Sequence, residues 1–141
     1  TLKVWQLTNG ECLRTLTGHQ GSVQALAALA GDRYAVSGGV DNLLRLWDLQ
    51  TGKCLRTLTG HKDTIQSIAV TGDGRFVLSG GEEFVLRLWD LQTGSVIQEL
   101  EGHTDSITSL DFSPNGRYAI SASYDKTLKL WEFDWELDFK K

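Results

Sequence analysis

The sequence predicts an all-β protein made of repeated four-stranded antiparallel sheets. Three observations support this class. Tryptophan recurs every 42 residues, at Trp5, Trp47, Trp89 and Trp131. The composition has 15 Gly but one Pro in 141 residues, which is typical of many tight turns. No long stretch has apolar residues at helical spacing.

One repeat contains four short strand candidates. They are the segments VQALAAL, YAVSGGV, LLRLWDL and CLRTLTG, which are separated by the turn sequences GDR, DN and QTG. Turns this short join neighbouring strands in opposite directions. Each 42-residue repeat therefore predicts one antiparallel four-stranded sheet.

The first strand of each repeat predicts a β-bulge. Its apolar residues are spaced by three and then by two positions, whereas a regular strand alternates every two. The second strand has small or apolar residues on both faces, which indicates a sheet covered on both sides. The first-strand residues are Val23, Leu26 and Ala28, then Ile65, Ile68 and Val70, then Ile107, Leu110 and Phe112.

Equal sheets that need cover on both faces are best satisfied by stacking around an axis, as the blades of a β-propeller. A sheet solenoid with shorter coils is the alternative. The N-terminal segment TLKVWQL aligns with LLRLWDL, so the first blade has only its third and fourth strands. We predict a partial β-propeller of three four-stranded antiparallel blades plus two strands of a fourth. The predicted units are 1–18 (half blade), 19–60, 61–102 and 103–141 (last blade with a C-terminal tail).

The repeat resembles a known family. The pairs Gly18-His19, Gly60-His61 and Gly102-His103, with Trp47-Asp48 and Trp89-Asp90, resemble the WD-repeat β-propellers over essentially the whole chain. The ending FDWELDFKK is similar to the close of long bacterial WD-repeat chains and predicts a C-terminal piece of a longer propeller. In it, Trp135, Leu137 and Phe139 alternate with acidic residues as an outer strand would.

The resemblance implies a structural hydrogen-bond network in each blade. A buried imidazole and an indole N–H both need partners, which a serine and a carboxylate can provide. The middle repeat has Glu83 where the others have aspartate, so we expect a displaced carboxylate, and Glu83→Asp to stabilise by about 0.5–1.5 kcal/mol. The network residues are His19, Ser37, Asp41 and Trp47, then His61, Ser79 and Trp89, then His103, Ser121, Asp125 and Trp131.

Catalytic and metal sites are poorly supported. A Ser-His-Asp set could suggest a nucleophilic triad, but it recurs in every blade with a tryptophan at fixed offset, which favours structure. The three histidines lie in different blades without metal-ligand spacing, so we expect no metal and no cofactor. The segments GDGR and PNGR are explained by hairpin turns. Arg45, Arg87 and Lys129 recur on the third strand, where solvated or paired edge charges are favoured over a stripe for an acidic partner.

The composition narrows the classes of binding partner and the cellular compartment that we expect for this protein. A net charge of −4 with mixed signs gives no basic field for nucleic acid. No apolar run reaches membrane-spanning length, and the N-terminus lacks a secretory signal pattern, so we expect a cytoplasmic protein without membrane contact. Cys12 and Cys54 occupy equivalent repeat positions, which favours buried thiols over a disulfide.

The resemblance also implies a partner-binding face, where the bulged strands begin. Its residues flank the bulge or precede the turn aspartate. Most are small and polar, without the Trp, Tyr and Arg cluster expected of a tight hot spot. They are Ser22, Gln24 and Val40, then Thr64, Gln66 and Glu82, then Ser106, Thr108 and Tyr124.

The leading functional prediction is a non-catalytic protein-interaction scaffold, from the sensor or partner-binding part of a larger regulatory protein. The alternative is an enzyme or sugar-binding propeller with a site at the channel mouth, for which Glu82, Glu83 and Tyr124 are the only indications. Fold alone does not separate the two, because propellers serve both purposes.

The predicted half ring leaves apolar terminal faces, so we do not expect a stable monomer. We expect the chain to bind either the remaining blades of a parent chain, which the sequence favours, or other copies of itself head to tail. The residues expected on these faces are Leu2, Val4, Leu13 and Leu16 at one end and Leu128, Leu130, Trp135 and Phe139 at the other.

Overall fold

The computed structural model describes residues 1–135. These residues form thirteen short strands. The strands are β1 (Leu2–Gln6), β2 (Glu11–Leu16), β3 (Val23–Ala28), β4 (Tyr34–Gly39), β5 (Leu44–Asp48), β6 (Cys54–Leu58), β7 (Ile65–Val70), β8 (Phe76–Gly81), β9 (Leu86–Asp90), β10 (Ser95–Leu100), β11 (Ile107–Phe112), β12 (Tyr118–Ser123) and β13 (Leu128–Glu132).

The strands form four antiparallel sheets in which chain neighbours pair. Strands β3 to β6 form one four-stranded sheet, called blade 1 below, and β7 to β10 form a second, blade 2. Strands β11 to β13 form blade 3, and β1 pairs with β2 in a half blade. The predicted all-β class with antiparallel blades is thereby confirmed. Trp135 lies outside any strand, and the predicted outer-strand residues Leu137 and Phe139 lie outside the described residues.

The first strands of the three blades, β3, β7 and β11, are called the inner strands below. Each of them contains the predicted bulge. The pairing register shifts between Val23 and Ala25, between Ile65 and Ser67, and between Ile107 and Ser109. Strand β7 contacts β3 and β4 of the preceding sheet, and β11 contacts β7 and β8. The blades are thus stacked with their inner strands side by side.

The core lies between neighbouring sheets. Trp47 and Trp89 are both fully buried, the first against the half blade and the second against blade 1. A further cluster joins blade 2 to blade 3 around Leu78, Leu86 and Ile107. The fold therefore depends on contacts between successive repeats rather than on a core within one repeat.

The terminal faces differ in part from the expectation. Leu2 and Leu16 were expected on an open face, but they are 8% and 1% exposed because the half blade packs them against Trp47. Val4 is half-buried there and Leu13 is exposed. At the other end, Leu128 and Leu130 are exposed, as expected, Trp135 is half-buried, and Phe139 lies outside the described residues.

The cysteines do not lie in a core, contrary to the expectation. Cys12 is half-buried, Cys54 is exposed, and both are free thiols. They occupy the fourth strands β2 and β6, which form the outer edge of their sheets, where one side faces solvent.

Candidate functional site

The polar network of blade 1 joins the loop before β3 to the β4–β5 turn. His19 Nδ1 lies 2.9 Å from each carboxylate oxygen of Asp41, and His19 Nε2 lies 2.7 Å from Ser37 Oγ. Trp47 donates its indole N–H to the same hydroxyl at 2.8 Å. The His19 side chain is 1% exposed, so every polar atom of this buried ring has a partner.

Blade 3 repeats this arrangement around His103. His103 Nδ1 lies 2.6 Å from Asp125, Nε2 lies 2.7 Å from Ser121 Oγ, and Trp131 donates to that hydroxyl at 2.9 Å. Thr127 adds a hydroxyl bond of 2.6 Å to the carboxylate. The Thr127 hydroxyl holds the pKa of Asp125 well below its usual range, and the bond from His103 acts in the same direction.

Blade 2 holds the glutamate that departs from the repeat. His61 Nε2 lies 2.6 Å from Ser79 Oγ, and Trp89 donates to Ser79 at 2.8 Å. Despite its extra methylene group, Glu83 reaches His61 Nδ1 with Oε1. The same oxygen also accepts a bond from Arg87 Nη1, a contact that blades 1 and 3 lack.

Arg87 is a paired charge, as expected, but it is 5% exposed and lies on a strand inside the sheet rather than at a solvated edge. Besides Glu83, it donates from Nε to Glu99 at 2.9 Å. Its counterpart Arg45 instead donates to the Thr57 hydroxyl at 3.3 Å. The third-strand cations consequently do not form one basic stripe, because one of them is neutralised inside its own blade.

Burial lowers the pKa of His61, and the neighbouring Glu83 carboxylate opposes this shift only in part. The neutral imidazole is favoured because the charged form would lose hydration.

The three serines have no access to a substrate. Ser37, Ser79 and Ser121 are each 0% exposed, and each hydroxyl already contacts a histidine and a tryptophan. A nucleophile needs room for the attacked atom about 3 Å away. The arrangement favours a structural role, in which the hydrogen bonds connect the loop to the sheet, over a catalytic role.

The residues of the predicted partner face lie in three equivalent groups beside these networks. In each blade the residue before the turn acid is bonded through its backbone N–H to the loop before the inner strand, at 3.0–3.1 Å. Gln66 also donates to Glu82 at 3.0 Å. Ser22, Gln24, Val40, Glu82 and Tyr124 are exposed, whereas Thr64, Gln66, Ser106 and Thr108 are half-buried.

Phe84 is the residue of this face that the sequence analysis missed. It follows Glu83 in the β8–β9 turn and has a left-handed φ of 67°, like Asn42 and Lys126 at the equivalent turn positions. Asparagine tolerates this conformation, whereas a bulky aromatic residue is disfavoured. Phe84 is nevertheless 39% exposed, so core packing does not account for it. An aromatic residue aligned with an asparagine turn position is the sequence signal that could have revealed it.

Exposed carboxylates accompany these side chains. Asp63 and Glu82 belong to blade 2 and Asp105 to blade 3, and none of the three forms an ion pair within residues 1–135. Glu83, by contrast, turns inward to His61 and Arg87. The three residues that suggested a channel-mouth site thus separate into one half-buried network carboxylate, Glu83, and two exposed surface groups, Glu82 and Tyr124.

A cavity of about 450 Å³ lies at the opposite end of the strands, between the β7–β8 and β11–β12 turns. Its lining includes Asp73, Arg75 and Trp135. Asp73 accepts bonds from the Thr71 hydroxyl and the Arg75 N–H, so it is part of the turn itself. Within residues 1–135 no group of three or more His, Cys, Asp or Glu is placed to hold a metal ion. That part of the chain also has no helix long and apolar enough to cross a membrane.

The family model described as "WD domain, G-beta repeat" matches residues 10–48, 52–90 and 94–132. Each match begins with the fourth strand of one sheet and ends with the third strand of the next, so a sequence repeat spans two blades. No curated protein sequence matches the chain. The three matches cover most of the 141 residues and include every histidine and turn acid of the networks. The chain belongs to the WD40 family.

Proposed function

We propose that this chain is a non-catalytic scaffold that binds a protein or peptide partner through the face at the β4–β5, β8–β9 and β12–β13 turns. WD40 repeats generally mediate protein–protein interaction. Phe84 is the single observation that carries the proposal for this face, because a left-handed backbone and an exposed aromatic ring both cost free energy without serving the core.

Within each of these turns, one residue bonds into the blade and its neighbours face solvent. The acid of each turn bonds inward to a histidine, whereas the residues on either side of it point outward and differ between blades. Tyr124 is 68% exposed and Val40 42% exposed. Together with Phe84 they provide the aromatic and apolar contacts that dominate binding energy at interfaces.

The charge of this face favours a basic partner segment. Asp63, Glu82 and Asp105 are exposed and lack cationic partners within the described residues, and they outnumber Lys62 and Lys126, the exposed lysines of the same loops and turns. Lysine or arginine in the partner would complement these carboxylates and could also lie over an exposed ring. We therefore infer a partner segment that combines basic and apolar side chains.

We further infer that the scaffold acts in the partner-binding or sensor part of a larger regulatory protein in the cytoplasm. Two free thiols on outer strands fit a reducing compartment. Buried, fully bonded serines support the absence of a catalytic role in these blades.

The experiment that tests this function is affinity capture from a source lysate with the full chain as bait, followed by titration of the captured partner. Phe84→Asn places at this turn the residue that blade 1 has, so the variant should fold at least as well as the parent. We expect partner affinity to fall about tenfold or more, the effect of losing one anchor. The matched control is Leu7→Asn, because Leu7 is 94% exposed in the β1–β2 turn at the opposite end of the strands.

A second variant tests the rest of the face. Changing Gln24, Gln66 and Thr108 together to arginine alters one residue beside the bulge in each blade. A partner that binds this face should lose affinity while the thermal unfolding midpoint changes little. If the triple variant and Phe84→Asn both bind the partner as tightly as the parent protein does, this face is excluded as the binding site.

A further inference from the structure

The contacts between successive blades show which side chains fit against the face of a blade. At the interface of blades 1 and 2, a Cβ placed on Gly38 would lie 2.8 Å from Ile65 Cγ2. At the interface of blades 2 and 3, a Cβ placed on Gly80 would lie 3.1 Å from Ile107 Cδ1 and Cγ2. Inside the chain, an isoleucine of the inner strand is thus accommodated because the facing strand has glycine.

The outer face of blade 3 departs from this rule at one position. The repeat partner of Gly38 and Gly80 is Ala122, whose methyl group occupies the space that glycine leaves open. A groove of about 160 Å³ lies beside it, lined by Ile120, Ala122 and Leu128 among others. A sheet that covers this face should therefore have a residue smaller than isoleucine opposite Ala122.

The face is strongly apolar and lacks a cover within residues 1–135. Leu128 is 69% exposed and Leu130 is 70% exposed, while their counterparts in blade 2, Leu86 and Leu88, are 0% exposed. Ile120 is 43% exposed against 0% for Leu78. The difference arises because blade 3 covers blade 2, whereas no described sheet covers blade 3.

The opposite end of the array offers the matching surface. Val23 is the repeat partner of Ile65 and Ile107, and its side chain has one carbon fewer. Leu26 is 60% exposed, although its counterparts Ile68 and Leu110 are buried. A second groove, of about 240 Å³, is lined by Leu2, Val23 and Leu26 among others.

We propose that the outer face of blade 3 is covered by strand β3 of a second copy of this chain. Val23 then lies opposite Ala122, and Leu26 lies against the apolar row of Ile120 and Leu128. The Val–Ala pair has the same number of side-chain carbons as the Ile–Gly pairs inside the chain, and volume-conserving exchanges are the ones that packed interfaces tolerate.

In the proposed dimer, strand β13 of the first copy displaces strand β1 of the second copy from its pairing with β2. Both β1 and β13 are third strands of a blade, so only one of them can pair with β2 at a time. Their sequences are close, LKVWQ for residues 2–6 and LKLWE for residues 128–132. Strand β2 can pair with either, since its sequence ECLRTL is nearly that of KCLRTL, residues 53–58, which pairs with the third strand of blade 1. The backbone bonds lost with β1 are thus regained with β13, and Leu128 replaces Leu2.

This exchange closes after two copies. Each copy supplies three inner strands and, through β2, the fourth strand of its partner's last blade. Two copies form two equivalent interfaces and a ring of about six blades, within the usual range for closed propellers. The ring leaves no open blade face, which explains why the assembly would stop at a dimer.

The first test measures association of the full 141-residue chain by native mass spectrometry and analytical ultracentrifugation. We expect a dimer at micromolar concentration. Val23→Ile should overpack the interface and raise the dissociation constant about tenfold or more, and Ala122→Gly should weaken it by leaving a void. The double variant Val23→Ile/Ala122→Gly restores the Ile–Gly pair found inside the chain, so its affinity should return to within about threefold of the parent.

A monomer at all concentrations would overturn the proposal and would favour cover by further blades of a longer chain. A dimer that Val23→Ile leaves unchanged, or a double variant no tighter than either single variant, would overturn it equally. Open-ended oligomers would also contradict it, because the exchange predicts closure at two.

The second test detects the exchanged strands directly. In a background with Cys12 and Cys54 changed to serine, the pair Thr15→Cys/Lys129→Cys should form a disulfide between copies, visible as a covalent dimer on a non-reducing gel. The matched control is Thr15→Cys/Lys3→Cys, since Lys3 pairs with Thr15 within one chain. A failure of the first pair to crosslink in a sample that ultracentrifugation shows to be dimeric would refute the exchange.

Discussion

Substitution of Glu83 by aspartate gives the sharpest test of how blade 2 is held together. From the sequence, aspartate should restore the repeat and stabilise the protein. In the structure, however, Glu83 contacts Arg87 as well as His61, and the side chains of Glu83 and Arg87 are 11% and 6% exposed. A shorter acid can keep only one of these contacts, which reverses the sign that we expect.

The magnitude follows from the two contacts. A hydrogen bond to a buried charge contributes roughly 1.5–3 kcal/mol, and losing it leaves Arg87 with Glu99 as its remaining carboxylate. Glu99 is 52% exposed, so this ion pair compensates little. A better fit of aspartate to His61 regains about 0.5–1 kcal/mol. We expect Glu83→Asp to lower the free energy of unfolding by about 0.5–2.5 kcal/mol.

The assay is urea unfolding followed by tryptophan fluorescence at one fixed protein concentration, since association shifts apparent stability. The control is a double-mutant cycle with Arg87→Met, which keeps the aliphatic length and removes the charge. In that background Glu83→Asp should no longer destabilise. Unchanged or higher stability of Glu83→Asp in the parent protein would refute the role of the Glu83–Arg87 contact and favour the expectation from sequence.

Three further predictions concern the networks. Trp131→Phe should lower the free energy of unfolding by about 1–3 kcal/mol, because Ser121 loses its indole donor. Trp5→Phe is the control and should have little effect, since Trp5 is 52% exposed. Chemical denaturation of both variants measures the difference. The imidazole of His61 should titrate below the usual value of about 6.5, as measured by histidine ring NMR, and a midpoint above that value would contradict the assigned burial effect. Because the folded-state pKa of His61 is lowered, the stabilisation by neutral His61 is fully present above a pH of about 6.5 and is lost as the pH falls through the folded-state pKa. Unfolding curves measured between about pH 7.5 and pH 5 should show this loss of stability.

The local structure of the chain could be predicted from its sequence. The 42-residue spacing, the glycine-containing turns and the step of three in the inner strands all depend on backbone geometry within one repeat, and the bulges lie where that step predicts. The spacing of histidine, serine and tryptophan also follows the register of neighbouring strands, which hydrogen bonds in the structure then join.

Burial and charge pairing could not be predicted in the same way, because they depend on which sheet lies beside each residue. Leu86 and Leu128 occupy equivalent positions and share one residue type, yet one is buried and the other is 69% exposed. Glu83 differs from aspartate by one methylene group, and only the position of Arg87 across the turn decides what that length reaches. The sequence by itself determined the strands, turns and repeats, since these are local. The tertiary structure decided the buried ion pair, the exposed Phe84 and the two unequal terminal faces, since these arise between elements that the repeat alone does not distinguish.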